Sequence, residues 1–235
     1  MDVAEHGAVV VVGGTSDIGK GLAVHYGSRG FPVIVTSRDR ERAEQTAREV
    51  GPTCRGLAVD LSQPKAIGEA LATVTDVSHL ALVAVDRDDN YVRDYKIDGA
   101  MKLVTLKILG YTEAIHVLAP RMRKDGSVVL FGGLAKDRPY PGSLTVTSVN
   151  GAISSMVRTL AIELAPVRVN AIHPGIVGDS AFWRGKTAAL ERTISRTPTG
   201  RLVTVADIVG ASAFLLENQG VNGVNLEVDG GWMVM

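Results

Sequence analysis

The sequence predicts an α/β fold in which helices cover both faces of a doubly wound, mostly parallel, seven-stranded sheet. Three observations predict it. Short β-branched runs alternate with longer helical patterns along the chain. Several of these runs are apolar at every position, which means burial on both faces, as under the helices of a parallel sheet. A glycine-rich turn joins the first run to the first helix, the arrangement in which backbone N–H groups meet a phosphate.

Each element follows in order. "AVVVV", residues 8–12, is the first strand, and the turn after it opens a helix over about 18–29. "PVIVT", 32–36, is the second strand, and "RDRERAEQTAREV" is an amphipathic helix with one charged face. "GLAVD", 56–60, is the third strand. Pro64 sits where a first helical turn tolerates it, and that helix runs to about 74. "LALVAV", 80–85, is the fourth strand, followed by a long helix expected over 91–119. "SVVLF", 127–131, is the fifth. A Pro/Gly-rich loop then leads to a helix over about 146–165, in which Val146, Val149, Ile153, Met156, Leu160 and Leu164 recur at three- or four-residue steps. "VRVNAI", 167–172, is the sixth strand. "TVADIVGASAFLLEN" is a helix with Thr204 as its cap, and "VNLEV", 224–228, closes the series.

Residues 175–200 show no clean period. They are expected to form a lid over one end of the sheet, inside a single domain spanning 1–235. No internal repeat or low-complexity tract interrupts the pattern.

Composition narrows the function classes. Lys+Arg and Asp+Glu both count 25, so no basic excess points to nucleic acid or an anionic membrane. Cys54 is the only cysteine, which rules out an internal disulfide and a cysteine-rich metal site. No metal is expected. The N-terminus "MDVAEHGAVVVVGG" places acidic residues before a short apolar run that glycines cut off, unlike a signal peptide. No stretch reaches the roughly 18 apolar residues of a membrane helix. A cytoplasmic protein is expected. The terminal "GGWMVM" reads as a buried tail or a subunit contact.

The turn "VGGTSDIG", 12–19, resembles the TGxxxGxG turn of the short-chain dehydrogenase/reductase family. The resemblance extends over essentially the whole chain. "HPGIV", 173–177, matches the family's PG motif, and "TPTGRLVTVADIVGASAFLLENQGVNGVNLEVDGG" matches its C-terminal section. The resemblance implies a Rossmann fold and a nicotinamide dinucleotide held by Gly13, Thr15, Ser16, Ile18 and Gly19 at the pyrophosphate. Asp17 replaces a family glycine, and a carboxylate there is unfavourable unless it points away or caps the helix. Where a carboxylate would select NAD, the second strand ends in Ser37 and Arg38. A guanidinium pairs with a 2′-phosphate, so NADP is expected over NAD. Asp60 and Leu61 match the adenine positions, and Asp60 also reads as a cap for the helix after it. Pro174, Gly175 and Ile176 would flank the nicotinamide. His173, directly before that motif, occupies a position that is usually structural.

The family's proton chemistry has a different fate. In the family a tyrosine exchanges the proton, a lysine four residues on lowers its pKa and holds the ribose, a serine orients the carbonyl, and an asparagine supports the lysine. Registered on the 146–165 helix, the tyrosine falls on Val146 and the lysine on Asn150. The serine falls on Gly133 or Gly132, and the asparagine on Asp98. Val146 has no proton to give. Asn150 bonds a ribose hydroxyl but, being neutral, cannot depress a neighbouring pKa. Tyr140, on the loop before the helix, is the alternative phenol. Phe182 and Trp183 read either as an apolar cover over a ligand or as core or interface residues.

Two functions follow. One is an NAD(P)(H)-dependent oxidoreductase with altered acid–base groups. The other is a catalytically silent nucleotide-binding protein or partner subunit. The fold does not choose between them. The family also implies a homodimer or homotetramer acting on an unidentified small molecule.

Overall fold

A computed structural model describes residues 6–235. Seven strands form one sheet in the order β3-β2-β1-β4-β5-β6-β7, and every neighbouring pair is parallel. They are β1 (Ala8–Val12), β2 (Val33–Ser37), β3 (Cys54–Ala58), β4 (Val77–Leu82), β5 (Met122–Phe131), β6 (Arg168–Pro174) and β7 (Asn225–Val228). The chain starts at the centre, winds out to β3, then returns to build the other half from β4. β1 and β4 therefore flank the point where the winding reverses, and a crevice opens beyond their carboxyl ends.

The helices are α1 (Asp17–Gly27), α2 (Arg40–Val50), α3 (Pro64–Ala70), α4 (Ile97–Val104), α5 (Tyr111–Leu118), α6 (Leu144–Glu163), α7 (Thr187–Ile194) and α8 (Val205–Glu217). Strand alternation divides them between the two faces. Val10 and Val12 of β1 join Leu80, Leu82, Val128 and Leu130 in a core closed by α3, α5 and α6. Val9 and Val11 point the other way, toward Leu22 and Tyr26 of α1 and Ile208 and Leu215 of α8. Each fully buried Val or Leu contributes about 1.5–3 kcal/mol, so a strand apolar on both faces is held from both sides. Gly56 lets α2 lie directly on β3, since a Cβ there would collide with the Ala43 backbone.

Several boundaries differ from those expected, two of them near the site. β4 ends at Leu82 rather than 85, because the N–H groups of Val83 and Ala84 both turn to the Val12 carbonyl, each at 2.9 Å. The long helix starts at Ile97 rather than 91. Buried Asn90 accepts from Lys96 N–H at 2.8 Å and donates to Lys96 C=O at 2.9 Å, which fixes residues 91–96 as a loop. That helix also widens to π geometry over Thr105–Gly110 between α4 and α5. Gly110 allows this wide turn to press on Leu61, whose carbonyl leaves no room for a Cβ. Inside 175–200, where no period was visible, α7 forms one short helix. Thr204 caps α8 as expected, in a capping box with Asp207. No helix among the described residues is long and apolar enough to cross a membrane.

Candidate active site

The site is built on the crevice between β1 and β4. Gly13 sits in left-handed backbone (φ +86°), and a Cβ there would lie 2.7 Å from the Ala84 backbone. A Cβ on Gly19 would collide with the Gly13 carbonyl. Only glycine permits this turn, and the free N–H groups at the start of α1 face the crevice end of the sheet. Ser16 is the N-cap of α1 but makes no side-chain cap bond, and Thr15 beside it is half-buried. Ile18 packs inward onto the α1–α8 core. Asp17 is left-handed too (φ +43°), and its carboxylate accepts the Ala181 N–H at 3.0 Å. It therefore neither caps α1 nor points free into solvent. It ties the turn to the 175–200 segment.

At the far end of β2, Ser37 Oγ accepts from Asp39 N–H at 3.2 Å. Arg38 is exposed, with its guanidinium 3.7 Å from Asp86, and Lys102 holds the same carboxylate at 2.7 Å. Asp60 is not the cap of α3. Its carboxylate accepts from the N–H and the hydroxyl of Ser62, at 2.9 and 2.7 Å, and the cap position belongs to Gln63. An Asx turn satisfies Asp60 one step too early to reach the first turn of the helix. The Leu61 side chain is part of the core, which leaves only its backbone toward the crevice.

At the end of β6, Gly175 N–H donates to Val228 C=O at 2.9 Å, and Pro174 and Ile176 are half-buried on either side. His173 is fully buried. Its Nδ1 accepts the Gly133 N–H at 3.1 Å, which leaves the proton on Nε2 to meet Asn225 Oδ1 at 2.9 Å. Burial lowers its pKa, and with both nitrogens committed it is a neutral structural group.

The two glycines after β5 are filled by neighbours. A Cβ on Gly132 would run into the His173 ring, and one on Gly133 would stand 2.8 Å from Asn150 Nδ2. A serine therefore fits at neither position without displacing a ring or an amide. Asn150 is buried in α6, and its amide hydrogen-bonds no other described residue. Val146, one turn earlier, is half-buried. Tyr140 is 56% exposed, with its phenol on the loop surface near Arg87. Over the same mouth, Phe182 and Trp183 meet edge to face, centroids 5.1 Å apart, with Arg87 on the Phe182 ring.

Asp98 does not belong to this group. It is an exposed residue in the first turn of α4. Nine residues on, in the wide turn, the same helix presents Lys107 to the strand ends. Its Nζ donates to Tyr111 Oη at 2.8 Å and to Phe131 C=O at 2.7 Å, and the Tyr111 hydroxyl donates to Ala84 C=O at 2.7 Å. The sequence reading missed this tyrosine–lysine pair. The available signal was a lysine inside an apolar run with a tyrosine four residues later, on one helix face.

The family described as enoyl-(acyl carrier protein) reductase matches residues 12–233. The chain belongs to the short-chain dehydrogenase/reductase family. A zebrafish (Danio rerio) protein, carbonyl reductase family member 4, is 27% identical over 96% of this chain and 98% of its own length. An inactive 2-(S)-hydroxypropyl-CoM dehydrogenase 2 from Xanthobacter autotrophicus is 28% identical over 86% of this chain and 95% of its own. The crystal structure of a small-chain dehydrogenase in complex with NADPH superposes with a TM-score of 0.84 at 29% identity, covering 98% of this chain and 100% of that one.

This short-chain dehydrogenase/reductase carries its glycine turn at the β1–β4 crevice. Among the described residues, no group of three His, Cys, Asp or Glu side chains is gathered for a metal. Cys54 is half-buried at the outer strand, and burial pushes its thiol up to about 11. The polar groups nearest the strand ends are a neutral amide, backbone N–H groups and the Lys107–Tyr111 pair.

Proposed function

We propose that this chain is an NADP(H)-dependent oxidoreductase whose proton step uses no phenol on α6. The supporting observation is the glycine turn. Gly13 and Gly19 have no space for side chains, and the start of α1 stands at the β1–β4 crevice, which suits a pyrophosphate. Gly13, Thr15, Ser16, Ile18 and Gly19 would take the pyrophosphate. Ser37 and Arg38 would take the 2′-phosphate, Asp60 and the Leu61 backbone the adenine, Asn150 the nicotinamide ribose, and Pro174, Gly175 and Ile176 the nicotinamide. When bound, the dinucleotide supplies the hydride. The protein orients it and supplies one proton.

Arg38 carries the preference for NADP. Its guanidinium would exchange Asp86 for a doubly charged phosphate, with Lys102 close by as a second cation. The 175–200 segment serves as the lid of a single domain, tied to the turn through Asp17. Exposed Ile97, Met101 and Leu109, together with Val234 and Met235 at the C-terminus, favour a homodimer or homotetramer. Cytoplasmic placement follows from the sequence reading given above.

A second reading, a silent nucleotide-binding protein, has specific support too. Val146 has no proton, and Asp17 puts a carboxylate in the phosphate turn. Fluorescence titration with NADPH and NADH, followed by a panel of carbonyl substrates, separates the two. Micromolar NADPH binding with turnover is the expected result. Binding without turnover favours the silent reading, and no binding at millimolar nucleotide defeats both.

A further inference from the structure

The wide turn of the long helix carries an amine and a phenol that the proposed function leaves without a task. Lys107 is 2% exposed and Tyr111 is fully buried. The two carbonyls they hold lie at the crevice. Ala84, which accepts from the Tyr111 hydroxyl, packs its backbone against Gly13. Phe131, which accepts from Lys107, runs through Gly132 into Gly133 beside the Asn150 amide. The pair therefore spans the floor between the dinucleotide turn and Asn150.

Counting donors favours the neutral amine over the ammonium, and a pKa of about 7 leaves the two balanced at pH 7. A neutral amine has two N–H groups and a lone pair, and Lys107 has two acceptors, Tyr111 Oη and the Phe131 carbonyl. An ammonium would carry a third N–H with no acceptor among the described residues. Burial also disfavours the charge and brings the pKa down to about 7. No ionised neighbour opposes this. The wide turn packs against α3, α4, α5 and α6. Their charged side chains are Lys65 and Glu69, Asp98 and Lys102, Glu113 and His116, and Arg158 and Glu163; all are exposed except half-buried Glu113. Tyr111 is the titratable group in contact with the amine.

We propose that Lys107, held by Tyr111, is the proton store of this site: it takes up a proton when the dinucleotide enters the crevice and gives it up in the reductive step. The inference rests on the proposed function. A phosphate charge about ten ångströms away in the protein favours the ammonium by on the order of tenfold, and a dinucleotide brings several such charges. In the reductive step, the bound dinucleotide would supply hydride to the carbonyl carbon of the substrate. The carbonyl π pair moves onto oxygen. That oxygen would take the Lys107 proton, relayed by water entering from the crevice, and the lysine would return to its neutral amine. The nicotinamide is oxidised and the carbonyl reduced. Lys107 touches neither reactant, so it is a positioning residue rather than a catalytic one.

Calorimetric titration of the full chain with NADPH at pH 7, in PIPES and in imidazole buffer, tests this. The different ionisation heats of the buffers report protons taken up. About half a proton per NADPH is expected from the wild-type chain, and none from Lys107→Met, which still binds NADPH. Tyr111→Phe keeps the amine and should keep the uptake. Lys107→Met with undiminished uptake, or wild-type binding with no uptake, overturns the inference and leaves the proposed function standing. Absence of NADPH binding by the wild-type chain overturns the proposed function and this inference with it.

Discussion

The two ends of this cleft are held in different ways. At the dinucleotide end, Gly13 and Gly19 are fixed by backbone contacts, and no other residue fits where they stand. At the other end, α6 and the turn after β5 present Val146, Asn150 and Gly133. This end is mutually packed: the Asn150 amide stands against Gly133, and the His173 ring against Gly132. Backbone geometry tolerates no substitution short of a collision, whereas side-chain chemistry can be exchanged when neighbours adjust together. The buried amine near these strand ends, Lys107, stands on the long helix.

The comparison can be broken most directly at Gly19. Gly19→Ala drives a methyl into the Gly13 carbonyl, and NADPH affinity should fall about 100-fold, or 2.7 kcal/mol. Fluorescence titration measures it, and unchanged affinity would mean that the turn is not the nucleotide site.

Lys107→Met acts on stability. The folded-state pKa of about 7 lies below the roughly 10.4 of an unfolded lysine. Between those values the unfolded chain binds more protons, so stability rises with pH through that window and the cost of burying the amine is fully present below pH 7. Removing the amine should therefore raise stability by about 2.5 kcal/mol more at pH 6.5 than at pH 9. Urea denaturation at both pH values reads the difference, and an equal change at the two would contradict the lowered folded-state pKa.

Asp17→Gly sharpens the comparison from the nucleotide side. It relieves a left-handed non-glycine residue and removes a carboxylate from the phosphate turn, at the loss of one bond to Ala181. NADPH should bind about fivefold more tightly, roughly 1 kcal/mol, with the gain shrinking at high salt. Weaker binding would show that the bond to Ala181 matters more than the charge.

The smallest effect lies outside the cleft. Thr204→Ala removes the α8 cap and should cost about 1 kcal/mol in thermal unfolding while leaving nucleotide affinity unchanged. A change in affinity would extend the nucleotide end to α8.

The sequence by itself determined the sheet, its seven strands and its two covered faces. Those features rest on runs such as Val9–Val12, whose alternation is local and survives any detail of packing. It also determined the glycine turn and the Thr204 cap, because positive φ, close approach and N-cap geometry each leave a residue-type signature. Only the tertiary structure decided what fills the reaction end. Asn90 stops the long helix at Ile97 through contacts to the Lys96 backbone, which a helical period does not record. Asp17 reaches a residue 164 positions away, and Lys107 reaches the end of a strand 24 positions away. The sequence marks Lys107 only as a lysine in an apolar run, because its burial and hydrogen-bond partners come from chain segments that meet only after folding.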